Sequence, residues 1–255
     1  MQEPTAAETD AFERVPGPTA APLLFLCDHA SNAVPAAYGD LGLDHAQFAR
    51  HIAWDIGAAN LTRALAGTFA APALLGKWSR LLIDLNRGPD DPTIVMKISD
   101  GALIPRNAAA SVDDVAYRIA RYHAPYHAAI KAAIDASLAA GVAPSLVSMH
   151  SFTPAWKGTP RPWHVGVLWD EDPRLAVPLI EAFRAEPGLV VGDNEPYHGR
   201  LEDDTMWTHG TMRGLPHALI EIRQDLIADH VGVARMLEIV ARALRRALAQ
   251  AGLKA

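Results

Sequence analysis

Short apolar runs that end in polar residues, separated by stretches of helical period, constrain the fold of this chain more than any other feature. Pro22 to Cys27 is the first run, ending in Asp28-His-Ala-Ser-Asn32. A continuous apolar run of this length reads as a strand buried on both faces. Pro72 to Leu75, Arg80 to Leu85, Ser145 to His150, residues 164–169, a stretch near Val190 and His217 to Ile222 read the same way. Between them the period changes. Phe48, Ile52, Leu61 and Leu65 share a face over Asp44 to Phe69, with Asp44 placed as N-cap. Ser111 and Asp114 resemble a capping box opening a helix to Ala140, which Pro125 should kink or divide. Residues 173–186 and 229–249 form the remaining helices, the last with Leu237, Val240, Leu244 and Leu248 on one face. Alternating strands and helices predict an α/β fold with a mostly parallel central sheet flanked by helices. No repeat or composition break marks a second domain, so residues 21–255 are expected to fold as one. Residues 1–20, acidic and rich in Pro and Ala, are expected to form a loosely held arm.

Composition narrows the function. At 255 residues, half of them hydrophobic, the chain buries enough surface to fold without disulfides or a structural metal. Its single cysteine, Cys27, excludes an internal disulfide framework and reads as a small core residue. A net charge of −6 argues against nucleic-acid binding. No apolar run approaches membrane-spanning length, and the first residues lack the pattern of a secretion signal, so a cytoplasmic location is expected.

The polar residues at the run ends carry the chemistry. Ligands of an open parallel sheet bind outside the carboxyl ends of its strands. His29, the Asp84, Asn86 and Arg87 group, His150 and Glu221 therefore converge on one crevice. Two histidines with several carboxylates suit a catalytic zinc site, which needs about three protein ligands and an open position. Plainer readings exist: hydrogen-bonded strand-end histidines, a solvent-facing Asp84, and a loop ion pair for Arg87. Glu221 interrupts the apolar run Ala-Leu-Ile-Glu-Ile, where a carboxylate is costly unless paired or functional. His123 and His127 stand four apart on a helix and could share a metal, but with no third ligand nearby they read as surface or structural residues. The serine-nucleophile elbow, the phosphate-binding and dinucleotide-binding glycine loops and the His-Glu-x-x-His helix are all missing. Residues 88–110, 151–162 and 193–214 read as long loops able to close over the crevice.

Taken together, five segments resemble the N-formylglutamate amidohydrolase family. They are Asp28-His-Ala-Ser-Asn-Ala-Val-Pro35, Ser79-Arg-Leu-Leu-Ile-Asp-Leu-Asn-Arg87, Tyr122-His-Ala-Pro-Tyr-His127, Met149-His-Ser-Phe152 and His217-Ala-Leu-Ile-Glu-Ile-Arg-Gln224. The resemblance runs from about residue 22 to 250. It implies a zinc-carboxypeptidase-like (phosphorylase/hydrolase-like) fold, a Zn2+ or other divalent ion, and a small anionic substrate. The implied reaction is hydrolysis of an N-acyl amino acid such as N-formyl-L-glutamate to formate and the amino acid. It further implies that His29 and His150 bind the metal, that Glu221 is the general base or acid, and that Asp84 supports a ligand from behind. Asn86 and Arg87 would read the substrate carboxylate, with Arg80 a second candidate for anion binding or for stabilising the tetrahedral intermediate. Carboxypeptidases place a glutamate ligand three residues after the first histidine. Here that residue is Asn32, a poor zinc ligand, and Asp55 is nominated instead. The first motif reads Asp-His-Ala-Ser-Asn where histidine-pathway enzymes carry Pro-His-small-Gly, which points to a related subgroup. A carboxypeptidase or deacylase for a larger acyl group, and a non-catalytic binding protein, are the alternatives.

Overall fold

The computed structural model describes residues 11–254. Seven strands form its main sheet: β1 (Phe12–Val15), β2 (Leu23–Cys27), β3 (Ala73–Gly76), β4 (Ser145–Phe152), β5 (Val165–Leu168), β6 (Val191–Asp193) and β7 (His217–Arg223). Their order across the sheet is β1-β3-β2-β4-β7-β5-β6. The central four, β3, β2, β4 and β7, run parallel. β1 lies antiparallel on β3, and β5 pairs antiparallel with β7 while β6 runs parallel to β5. The architecture is a single α/β domain with a mixed, mostly parallel sheet.

Strand side chains alternate between two cores, as the two-residue period of a strand requires. Leu23, Phe25, Cys27, Val147, Met149, Ala218 and Ile220 face one core. Three helices cover it: α1 (Ala58–Phe69), α4 (Pro173–Arg184) and α6 (His230–Gln250). Leu24, Leu26, Leu146 and Leu219 face the other, under α3 (Ala124–Ala139) and the segment Leu81 to Leu85. By the same parity His150 and Glu221 lie on this second face, near the carboxyl ends of β4 and β7.

Three expectations need correction. Arg80 to Leu85 is a series of turns, not a strand. Its Leu81 and Leu82 carbonyls accept from the buried side chains of Asn107 and Arg118, and the Asp84 N–H bonds the Ile94 carbonyl. Side chains and loop backbone thus replace a sheet ladder, and an apolar run does not distinguish these two ways of being buried. Asp84 is accordingly buried, not a solvent-facing strand end. The stretch from Asp44 to Phe69 is not one helix. Asp44 caps a short 3-10 turn, His45–Ala49, and α1 begins at Ala58 after Gly57 takes φ 82°. The expected arm contains β1, whose Glu13 is gripped by both ends of the Arg63 guanidinium. The first ten residues lie outside the described residues. The Pro125 expectation matches: α2 (Val112–Arg118), capped by Ser111, passes through a π-turn at Ile119–His123 into α3, with Pro125 in the first turn. Among the described residues no helix is long and apolar enough to cross a membrane.

Candidate active site

β2 delivers Asp28 and His29 just past its carboxyl end, β4 carries His150, and Asp55 stands three residues before α1. The Asp55 N–H bonds the His29 carbonyl (2.9 Å), which ties the two segments together. Asp55 Oδ2 lies 2.8 Å from His150 Nδ1 and 3.4 Å from His29 Nδ1. One ligand atom from each residue falls within 4.8 Å of the others, and all three residues are buried. The outer ring nitrogens face carboxylates. His29 Nε2 is 2.7 Å from Asp84 Oδ1, and His150 Nε2 is 3.0 Å from Asp28 Oδ2. A carboxylate behind each imidazole fixes the ring and its tautomer and turns the Nδ1 lone pair inward, as in metal-ligating histidines.

The supporting carboxylates are themselves held. Asp84 accepts from Arg80 (2.8 Å) and from the Asn86 N–H (3.0 Å). Asp28 accepts from Tyr126, Thr205 and Ser148 hydroxyls. Burial disfavours the charged forms, but the close opposite charges outweigh it. Asp28, Asp55 and Asp84 sit below the ordinary carboxylate range, and His29 and His150 above the ordinary imidazole value. In the metal-free site both imidazoles are held protonated, and two imidazoliums with Arg80 balance the three buried carboxylates; a metal needs the imidazoles neutral, and two negative charges then face it. Uncompensated buried charge is expensive, and a divalent cation between two imidazole nitrogens and a carboxylate oxygen balances it with a donor set that zinc accepts.

Glu221 stands directly across from His150 in the parallel β7–β4 register, so both side chains leave the same face. It is 6% exposed, and its Oε2 has no hydrogen-bond partner among the described residues. Burial pushes its pKa up to about 7, despite the nearby imidazoles, into the range that suits proton transfer at neutral pH. Gly166 of β5 flanks it: a side chain there would collide with the Glu195 carbonyl.

The cavity beside these groups has a volume of about 280 Å³ and is lined by His29, Asp55, Arg80, Asn86, Arg87, His150 and Glu221. All three long loops contribute, through Asp100, Trp156 and Tyr197 among others. Arg80 lines the cavity while engaged by Asp84 and, at 3.5 Å, Asp55. Arg87 is freer. Its guanidinium bonds the Asn86 carbonyl (2.8 Å) and lies 3.8 Å from Asp91. The Asn86 side chain accepts from the Thr205 N–H at the start of α5 (Thr205–His209). Cys27 is a core residue whose thiol burial pushes well up in pKa.

Sequence reasoning missed Asp28, although it adjoins His29 and heads the same motif. It also left the second histidine pair without a task. His123 and His127 stack at 4.1 Å, and His127 stacks on His209, whose Nε2 lies 3.0 Å from His127 Nδ1. The Nε2 atoms of His123 and His127 face the carbonyls of Arg87 (2.8 Å) and Leu85 (2.9 Å). The stack clamps the backbone on both sides of Asn86. Replacing His127 by Phe removes the shorter of two contacts to the Leu85 carbonyl, leaving the Thr205 hydroxyl at 3.3 Å, at a cost of about 0.5–1.5 kcal/mol. Urea unfolding should show that loss at unchanged metal content; an unmoved midpoint would remove the clamp from the account. Burial also keeps these rings neutral, with His123 lowered to about 4 and His209 to about 3. An imidazole depressed in the fold contributes stability that is complete above its unfolded pKa and declines as pH falls below it. Between about pH 6.5 and 4 the decline is at most about 1.4 kcal/mol per pH unit for each ring. His209→Gln should make that acid decline shallower; an identical pH–stability curve would contradict the assignment.

The model of the family described as N-formylglutamate amidohydrolase matches residues 21–228. The solved structure of gene product Atu2144 from Agrobacterium tumefaciens superposes with a TM-score of 0.91 at 31% identity, covering 98% of this chain and 99% of that one. N-formylglutamate amidohydrolase from Ralstonia eutropha JMP134 shares the fold at a TM-score of 0.72 and 20% identity, over 95% of this chain and 99% of its own. No curated protein matches. The matched segment contains every residue of the site, from Asp28 to Glu221, and the chain belongs to the N-formylglutamate amidohydrolase family.

Proposed function

We propose that the protein is a metal-dependent amidohydrolase that cleaves the amide bond of an N-acyl amino acid, N-formyl derivatives included, releasing the acid and the free amino acid. The observation that carries this reading is the buried His29, Asp55 and His150 group, one ligand atom from each within 4.8 Å of the others, set beside Glu221, whose Oε2 has no hydrogen-bond partner among the described residues. The residues fit a divalent ion, and zinc is the ion we assign. When bound, it supplies Lewis acidity, polarising the amide carbonyl and lowering the pKa of a water toward ~7.

The chain's own residues do the rest. Glu221 accepts the proton of the attacking water and returns it to the leaving amine nitrogen, a general base and then a general acid. Arg87 grips the substrate carboxylate with its planar two-pronged donor, and Asn86 lies beside it. Arg80 holds Asp55 and Asp84 and presents positive charge to the carbonyl oxygen as it gains negative charge. Asp28 and Asp84 keep the imidazoles aimed inward.

Arg87→Lys keeps the charge but loses the fork. It is expected to lower kcat/KM for N-acyl amino acids roughly tenfold, the worth of about one charge-assisted hydrogen bond. A carboxylate-free amide of the same acyl group should show no such loss, and an equal loss would give Arg87 another role. The function itself is tested by assaying zinc-loaded protein on N-formyl, N-acetyl and N-succinyl amino acids and dipeptides, before and after chelation. Amine release abolished by the chelator and restored by zinc is expected. A zinc-loaded protein inert on the whole panel would overturn the reading, and tight binding without turnover would favour a binding protein.

A further inference from the structure

The walls of the cavity speak to the rest of the substrate. Three of the chain's six tryptophans, Trp156, Trp169 and Trp207, line it together with Phe152 and Tyr197. They arrive from separate segments: a hairpin after β4, the residue following β5, helix α5, the end of β4 and the loop before α5. Trp156 and Tyr197 remain 37% and 44% exposed, so ring surface is presented to the cavity. The wall is braced from behind. The Arg161 guanidinium lies over the Phe152, Trp156 and Tyr197 rings at 5.8, 5.4 and 4.9 Å and donates to the Tyr197 and Thr153 hydroxyls. Gly199 lets the Tyr197 loop seat directly on the Trp169 backbone, where a side chain would collide.

The charges of the lining point the same way. Among the described residues, Arg80 and Arg87 are the only guanidiniums in its lining, and no lysine lines it. Arg80 is engaged by Asp84 and Asp55, which leaves Arg87 for one carboxylate. Asp100, Asp170 and Asp204 also line the cavity. Among the histidines outside the metal group, His51 faces Asp100, His198 Nδ1 accepts from the Arg200 N–H, and His217 faces the Leu215 carbonyl and the Thr211 hydroxyl. A second carboxylate on the substrate would lose its hydration against indole rings and acidic side chains, and the further cation beside this wall, Arg161, already lies over three of its rings and bonds the Tyr197 and Thr153 hydroxyls. An aromatic ring there would find faces and edges to pack on.

We infer that the preferred N-acyl amino acid carries a single carboxylate and an aromatic side chain, in place of the second carboxylate of a glutamate derivative. This rests on the amidohydrolase reading and narrows it. At about 280 Å³ the cavity suits one acylated amino acid, not a longer peptide.

The experiment measures kcat/KM of the zinc-loaded protein on the N-formyl and N-acetyl derivatives of L-phenylalanine, L-leucine, L-glutamate and glycine. Within the better acyl series, phenylalanine should exceed glutamate by at least about tenfold, with leucine between them. Trp156→Ala and Trp207→Ala should each reduce the phenylalanine-to-glycine ratio by about fivefold or more. Trp156 sits half-exposed on a hairpin, so its replacement leaves the core intact. Glutamate equal to or better than phenylalanine, or ratios unmoved by both tryptophan variants, would overturn this inference and leave the amidohydrolase standing. Inertness on all eight compounds would overturn this inference, and inertness on the N-succinyl amino acids and dipeptides as well would overturn both.

Discussion

Glu221→Gln is expected to lower kcat by about 10²–10⁴-fold, the usual contribution of a positioned acid–base group, while the protein stays folded and keeps its metal. Glutamine is nearly isosteric and still hydrogen-bonds, but it cannot accept the proton of water. The position makes this loss specific. Glu221 is opposite His150 on the adjoining strand, buried, and has one oxygen with no partner among the described residues. A carboxylate kept for structure would use both oxygens to hold its neighbours, as Asp84 and Asp28 do. Three outcomes separate its possible roles. Lost turnover with intact fold and metal identifies the proton-transfer group. A lowered melting temperature identifies a structural carboxylate, and lost metal identifies a ligand. Near-normal kcat with intact fold and metal would pass the role to another group.

His29→Ala or His150→Ala should abolish stoichiometric zinc binding, and activity should fall to background with it. Each removes one of the three ligand atoms that lie within 4.8 Å of one another. The carboxylates behind the rings offer a graded check. Asp84→Asn and Asp28→Asn keep shape and hydrogen-bonding capacity but remove charge, and should weaken metal affinity about 10–100-fold, as such supporting partners typically do. Asp55→Ala should resemble the histidine variants. If it resembles the Asp84 and Asp28 variants instead, Asp55 is a supporting group.

Much of this site was legible because it follows from strand ends. His29 and His150 end or follow apolar runs that became β2 and β4, and parallel strands bring their carboxyl ends to one edge. Glu221 stood out because a carboxylate inside an apolar run demands a reason. Asp55 was reached through family resemblance alone; it precedes a helix 26 residues after His29, and no spacing rule connects the two. The Arg80 to Leu85 segment was misread because burial, not hydrogen-bond pairing, is what an apolar run reports. Its pairing lies with Asn107 and Arg118, polar side chains more than twenty residues away. β1 was hidden by the composition around it, since an edge strand of four residues needs little apolar surface. Asp28 and the His123, His127 and His209 stack depend on contacts across as many as 177 positions, which no local pattern records.

The central claim is that His29, Asp55 and His150 together hold one divalent ion. X-ray absorption spectroscopy of zinc-loaded, gel-filtered protein, with elemental analysis of the same sample, tests it most directly. About one zinc per chain is expected, with two imidazole nitrogens and carboxylate or water oxygens at about 2.0–2.2 Å, and loss of the imidazole signal together with the zinc in His29→Ala. Zinc retained at full stoichiometry by the His29→Ala, His150→Ala double variant, or no zinc bound by the unaltered protein, would contradict it.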